Sequence, residues 1–137
     1  MPKTTGKVVL DASALLTVLR NEPGAERVAP HLGRSIMSAV NVAEVATILG
    51  RRGMSASSVL ADVCKIVGEI RPFDMEQARL SAALDEKTRS LGLSLGDRAC
   101  LALGVMTGFP VLTADGAWAK VDLNVTIEVV GGSSSPS

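Results

Sequence analysis

Five short apolar runs divide the chain, and stretches with helical periodicity separate them. Lys7-Val8-Val9-Leu10, Ser35-Ile36-Met37, Glu69-Ile70-Arg71-Pro72-Phe73, Val111-Leu112-Thr113 and Thr126 to Val130 are short and rich in β-branched residues, which predicts strands. Between them, Ala12 to Leu19 continues as a helix until Asn21-Glu22-Pro23-Gly24 breaks it, and Ala25 to Leu32 is amphipathic. Ser38 can cap a helix through Val40, Val42, Val45, Ile48 and Leu49 that ends near Gly50 or Gly53. Ser55 or Ser57 opens another, with Val59, Leu60, Val63, Ile66 and Val67 on one face. Asp74 caps a long helix to about Leu91 that carries Ala78, Leu84 and Leu91 inward, and Ala117-Trp118-Ala119 makes a short helical turn. Strands that alternate with helices imply a parallel sheet covered on both faces, an α/β fold. Ligands of such sheets bind beyond the carboxyl ends of the strands.

The run Ser94-Leu95-Gly96-Asp97-Arg98-Ala99-Cys100-Leu101-Ala102-Leu103-Gly104 is the least soluble-looking of these helices. Leu95, Ala99, Ala102, Leu103 and Met106 recur at helical spacing, so the helix is predicted to be buried on most sides. Asp97 sits where it begins, near the positive end of the macrodipole. Three more acids stand at comparable places: Asp11 after the first strand, Glu44 inside an apolar helix, and Asp115 after the strand that ends at Thr113.

Each acid has an ordinary alternative. Asp11 and Asp115 are favoured as turn or cap residues, and Asp115-Gly116 is a common turn pair. Ser13 can cap a helix or hold a metal-bound water. Glu44 either faces solvent or, on the buried side, requires a partner or a metal. Together, carboxylates without histidine suit a hard cation, Mg²⁺ or Mn²⁺, better than zinc. At roughly 5 Å each like-charge pair costs about 3 kcal/mol at an effective dielectric near 20, a repulsion that a divalent ion relieves. Such a site can bind phosphate, activate water and hydrolyse a phosphodiester.

The 137 residues suit one domain over residues 7–130, with a polar lead-in over 1–6 and a Gly/Ser/Pro-rich tail over 131–137 that is expected to be disordered. A formal net charge of zero gives no overall field for nucleic acid, so an RNA substrate needs local groups; Arg51, Arg52, Arg98 and Lys120 are the expected ones. Two Phe, one Trp and no Tyr argue against a base-stacking platform. His31 follows Pro30 in a polar stretch with no nucleophile motif nearby, which argues against histidine-dependent nucleophilic catalysis. Cys64 and Cys100 lack a CxxC partner and are expected to be buried free thiols. No apolar run reaches the roughly 20 residues of a membrane span and no signal peptide precedes the first strand, so a cytoplasmic location is expected.

Asp11-Ala-Ser-Ala-Leu, Glu44, Leu93-Ser94-Leu95-Gly96-Asp97-Arg98-Ala99-Cys100-Leu101-Ala102 and Leu112-Thr113-Ala114-Asp115 resemble PIN-domain ribonucleases, most closely VapC toxins of bacterial toxin–antitoxin pairs. The resemblance runs from about Val8 to Val130, with the motifs in the expected order. It implies a single PIN-like α/β domain and Mg²⁺- or Mn²⁺-dependent endonucleolytic cleavage of RNA. It also implies a homodimer and inhibition by a cognate antitoxin. By motif, Asp11, Glu44, Asp97 and Asp115 would be the catalytic, metal-binding acids, with Ser13 and Thr113 as polar supports.

Two other classes also fit parts of the pattern. A phosphotransferase or receiver-like domain places an Asp after a parallel strand. The haloacid-dehalogenase type needs a second Asp where Ser13 stands, and a receiver needs paired acids where only Asp11 occurs. A non-catalytic interaction module on the same fold would be expected to lack at least one of the four acids.

Overall fold

The computed structural model describes residues 6–131, so most of the predicted lead-in and tail lie outside the described residues. Val8–Leu10 (β1), Ser35–Ser38 (β2), Glu69–Arg71 (β3), Val111–Thr113 (β4) and Ile127–Val129 (β5) form one sheet in the order β3-β2-β1-β4-β5. All four pairings are parallel. Among the described residues, seven α-helices connect and cover the strands: Ala12–Leu19 (α1), Ala25–Val28 (α2), Ala39–Gly50 (α3), Ala56–Ile66 (α4), Met75–Ala83 (α5), Asp85–Thr88 (α6) and Leu95–Thr107 (α7).

Successive strand residues point to opposite faces, and this builds two cores. Val8, Leu10, Met37 and Leu112 pack with α1, α3 and α4, while Val9, Ile36 and Val111 pack with α7 and Trp118. From β1 the chain winds outward through β2 to β3. After α7 it re-enters beside β1 as β4 and winds the other way to β5. The winding therefore reverses between β1 and β4, where a parallel sheet opens a crevice at its carboxyl edge. Asp11 follows β1 and Thr113 ends β4 at that edge.

Some boundaries differ from those expected. The long helix after Asp74 divides at Leu84 into α5 and α6, followed by a 3-10 turn over Arg89–Leu91. The Thr88 hydroxyl donates to the Leu84 carbonyl at 2.9 Å, a local bond that competes with straight helix geometry. The α7 helix buries Ala99 to Gly104 as expected, but its ends are open, with Leu95 52% and Met106 44% exposed. It stops at Gly108, whose φ of 77° favours glycine. Cys100 is buried, whereas Cys64 is exposed, because α4 buries only Val59 and Val63. Leu60 also stands partly clear of that face. Among the described residues, no helix is long and apolar enough to cross a membrane.

Candidate active site

Asp11 is 4% exposed, and its carboxylate is held from three sides. As the N-cap of α1 it accepts the Ala14 N–H at Oδ1, 2.8 Å. The Thr113 hydroxyl donates to Oδ2 at 2.6 Å, and the Ser13 hydroxyl reaches both oxygens at 2.8 and 2.9 Å. Ser13 Oγ in turn accepts the Ala114 N–H at 2.9 Å, so the two hydroxyls join the ends of β1 and β4. Ser13 thus neither caps α1 nor stands free; it supports Asp11. A carboxylate offers about four lone-pair sites, and these donors make four contacts, two on each oxygen, with the Ser13 hydroxyl shared between them. Burial nevertheless dominates, and with a smaller contribution from the negative field of Asp97 it pushes the Asp11 pKa up to about 6 against the lowering effect of the three hydrogen bonds.

The α3 and α7 helices bring two further acids. Glu44 is half-buried, and its Oε1 accepts from Asn41 Nδ2 at 2.8 Å; the same amide nitrogen donates to the Gly96 carbonyl at 3.0 Å. Asp97 completes a capping box: its N–H donates to Ser94 Oγ, and its Oδ2 accepts the Ser94 N–H at 2.9 Å. The Cys100 thiol is fully buried one turn later, and its pKa is raised by burial and then by Asp11, Asp97 and Glu44. Glu44 thus lies against the first turn of α7, which also bears Asp97, and Asp97 is the acid whose field reaches Asp11.

The other expected residues stand differently. Asp115 is exposed, and its Oδ1 accepts the Ala117 N–H at 3.0 Å to cap a 3-10 turn over Gly116–Lys120. Its own N–H reaches Thr113 Oγ1 at 3.1 Å, which links it by backbone to the Asp11 network. The acids whose charge reaches Asp11 and Cys100 do not include Asp115. Arg98, expected to bind RNA, is instead a packing anchor. Its side chain is 17% exposed, it donates to the Ser81 carbonyl at 3.0 Å, and Asp85 lies 3.8 Å away. Its position on α7 turns it toward α5 and α6, away from solvent. Arg51, Arg52 and Lys120 are exposed. Arg51 follows Glu44 by seven residues, about 10 Å along the helix axis.

Asn41 and Gly96 were not singled out from the sequence. Asn41 precedes Glu44 by three residues, the spacing that puts two side chains on one helix face. Gly96 is an unfavourable residue inside a helical pattern, which is the usual trace of a close approach.

The donors fit a hard divalent cation in kind, since Asp11, Glu44 and Asp97 offer carboxylate oxygens and no histidine or sulfur competes. They do not converge into a closed cage: among the described residues no three His, Cys, Asp or Glu side chains are grouped to hold an ion. Mg²⁺ suits such an open arrangement, because it keeps several waters and takes only one or two protein carboxylates.

Comparison with known proteins agrees with the topology. No curated protein matches the sequence. VapBC2 of Rickettsia felis, solved bound to a promoter DNA fragment, superimposes with a TM-score of 0.70 at 14% identity, covering 90% of this chain and 98% of that one. VapC20 of Mycobacterium tuberculosis, described as a sarcin-ricin loop cleaving toxin, gives 0.69 at 18% identity over 88% and 99%. FitAcB of Neisseria gonorrhoeae gives 0.62 at 24% identity over 88% and 95%. At these identities the likeness is one of fold. The sequence model of the PIN domain matches residues 8–124, and the chain belongs to the PIN domain family.

Proposed function

We propose that this protein is a divalent-cation-dependent endoribonuclease, the toxin of a VapBC-type toxin–antitoxin pair. The observation that carries this reading is the Glu44 carboxylate seated against the α7 turn that bears Asp97, with Asp11 buried at the crevice between β1 and β4. The VapC and VapBC structures that share its fold support the toxin assignment. Mg²⁺ or Mn²⁺ would be held by Asp11, Asp97 and Glu44, some of them through water, with Asp115 further out. When bound, the ion polarises the scissile phosphate and lowers the pKa of water.

The chain's own residues supply the rest. Ser13 and Thr113 fix Asp11 in one orientation. Glu44 Oε2 takes no protein hydrogen bond among the described residues and can accept the proton of the attacking water. That water forms a new O–P bond as the bond from phosphorus to a ribose oxygen breaks, and the departing ribose oxygen takes a proton from solvent. Arg51, Arg52 and Lys120 remain as local contacts for RNA phosphates, whereas Arg98 is committed to the fold.

The same reading includes a homodimer, and an antitoxin that presents a basic residue to the acids. Exposed Met54, Leu60, Met75, Leu95 and Met106 provide apolar surface for these contacts. A monomer at micromolar concentration by light scattering would refute the dimer.

RNA cleavage mapping tests the activity, using purified protein with and without Mg²⁺ or Mn²⁺, beside Asp97→Asn. Discrete cuts that need both the metal and Asp97 are expected. Metal-independent cutting, or an Asp97→Asn protein as active as wild type, would overturn the assignment.

A further inference from the structure

Asn41 is 1% exposed on α3, one turn before Glu44. Its two amide hydrogens reach Glu44 Oε1 and the Gly96 carbonyl, so one side chain ties that carboxylate to the first turn of α7. Asp97 lies on the same turn. With Nδ2 directed to two acceptors, the Asn41 Oδ1 is buried without a partner among the described residues. A buried amide with an unmet acceptor is a poor packing residue; leucine would fill similar space without that cost.

Gly96 is the matching half of the arrangement. A Cβ at this position would overlap the Glu44 carboxylate. Glycine is disfavoured inside a helix relative to alanine, so this one is explained by the carboxylate beside it. Both residues forgo stability at the same spot. Without them, the half-buried Glu44 is free to turn to solvent, which is within reach.

We propose that Asn41 is a positioning residue for the nuclease site, with Gly96 as the gap that receives the Glu44 carboxylate. Together they hold Glu44 against the first turn of α7, beside Asp97, leaving Oε2 for the cation or its water. This inference rests on the metal-dependent nuclease reading and adds to it the residues that pre-organise Glu44.

The test is a Mn²⁺ titration of the purified full chain, with kcat and KM on RNA and a thermal melt. The variants are Asn41→Leu, Asn41→Ser, Gly96→Ala, Glu44→Gln and the double variant Asn41→Leu/Glu44→Gln. Asn41→Leu and Gly96→Ala should each weaken Mn²⁺ binding about 10- to 100-fold, the usual effect of losing a partner that orients a ligand. They should lower kcat while KM for RNA stays within about twofold, as expected when remote phosphate contacts are intact. The double variant should be no worse than Glu44→Gln alone, because Asn41 acts through Glu44.

Asn41→Leu that binds Mn²⁺ and cuts like wild type overturns the inference alone. So does a double variant whose losses multiply. Should Asn41→Leu fail to fold, Asn41→Ser and Gly96→Ala carry the test. Loss of folding in all three overturns it, because both residues would then serve stability. Wild type that neither binds Mn²⁺ nor cuts RNA overturns the nuclease reading, and this inference with it.

Discussion

Asp11 and Asp115 look alike in the sequence and differ in the structure. Each follows an apolar strand, and each caps the helical element after it. Asp11 leaves the central strand of the sheet and is roofed by Ser13, Thr113 and the α7 side of the site. Asp115 stands two residues beyond β4, on an exposed turn, where its carboxylate accepts the cap bond and its N–H reaches Thr113 Oγ1. Distance from the strand end decides between them. Asp11 directly follows β1 and is buried with it, whereas β4 ends at the buried Thr113 and Asp115 lies two residues further on, in solvent.

The largest effect expected from this contrast is on catalysis. Asp11→Asn should lower Mn²⁺-dependent RNA cleavage by more than about 100-fold, beyond the range typical of outer partners, and Asp115→Asn by about 10-fold. Equal losses in the two variants would remove the distinction.

Stability without metal sharpens the comparison next. The raised Asp11 pKa favours folding only while the group is protonated. That contribution is full below about 3.8, the ordinary value, and is lost as the pH rises through about 6. A shift of about two units corresponds to roughly 3 kcal/mol. In EDTA at pH 8, Asp11→Asn should therefore be more stable than wild type by about 1–3 kcal/mol, because Asn caps a helix as well as Asp. Asp115→Asn should melt like wild type, since its carboxylate is already solvated. Asp97→Asn should change little, because the capping box gives Asp97 a structural use that offsets the relief of repulsion.

The proton and the cation compete for Asp11. Mn²⁺ affinity should fall about tenfold per pH unit below pH 6, the slope for one proton, and Asp115→Asn should leave that profile in place. Titrations at several pH values check it.

Two cations give the smallest effects. Arg98→Ala should cost roughly 1–3 kcal/mol of stability through its bond to the Ser81 carbonyl. Lys120→Ala should leave the melt unchanged and, through the loss of one phosphate contact, reduce the slope of log affinity for RNA against log salt by about 0.7.

The sheet was legible in the sequence because its strands are short, apolar and separated by helices. Asp11 and Asp97 were legible because an acid at the edge of an apolar run is conspicuous. What the sequence hides is the third dimension. The residues around Arg98 suggested a cation near the acids, yet helical rotation turns it to α5 and α6. Asn41 and Gly96 carry no charge and stand 55 residues apart, so only packing shows that they share a task. The division of the helix at Leu84, where the Thr88 hydroxyl bonds the Leu84 carbonyl, is a feature that periodicity does not register.

A crystal of the protein soaked in Mn²⁺ tests the central claim most directly, through the anomalous difference map. A peak is expected at the carboxyl edge of β1, within reach of Asp11, Asp97 and Glu44. A peak held by Asp115 without Asp11, or no peak at millimolar Mn²⁺ above pH 7, would contradict it.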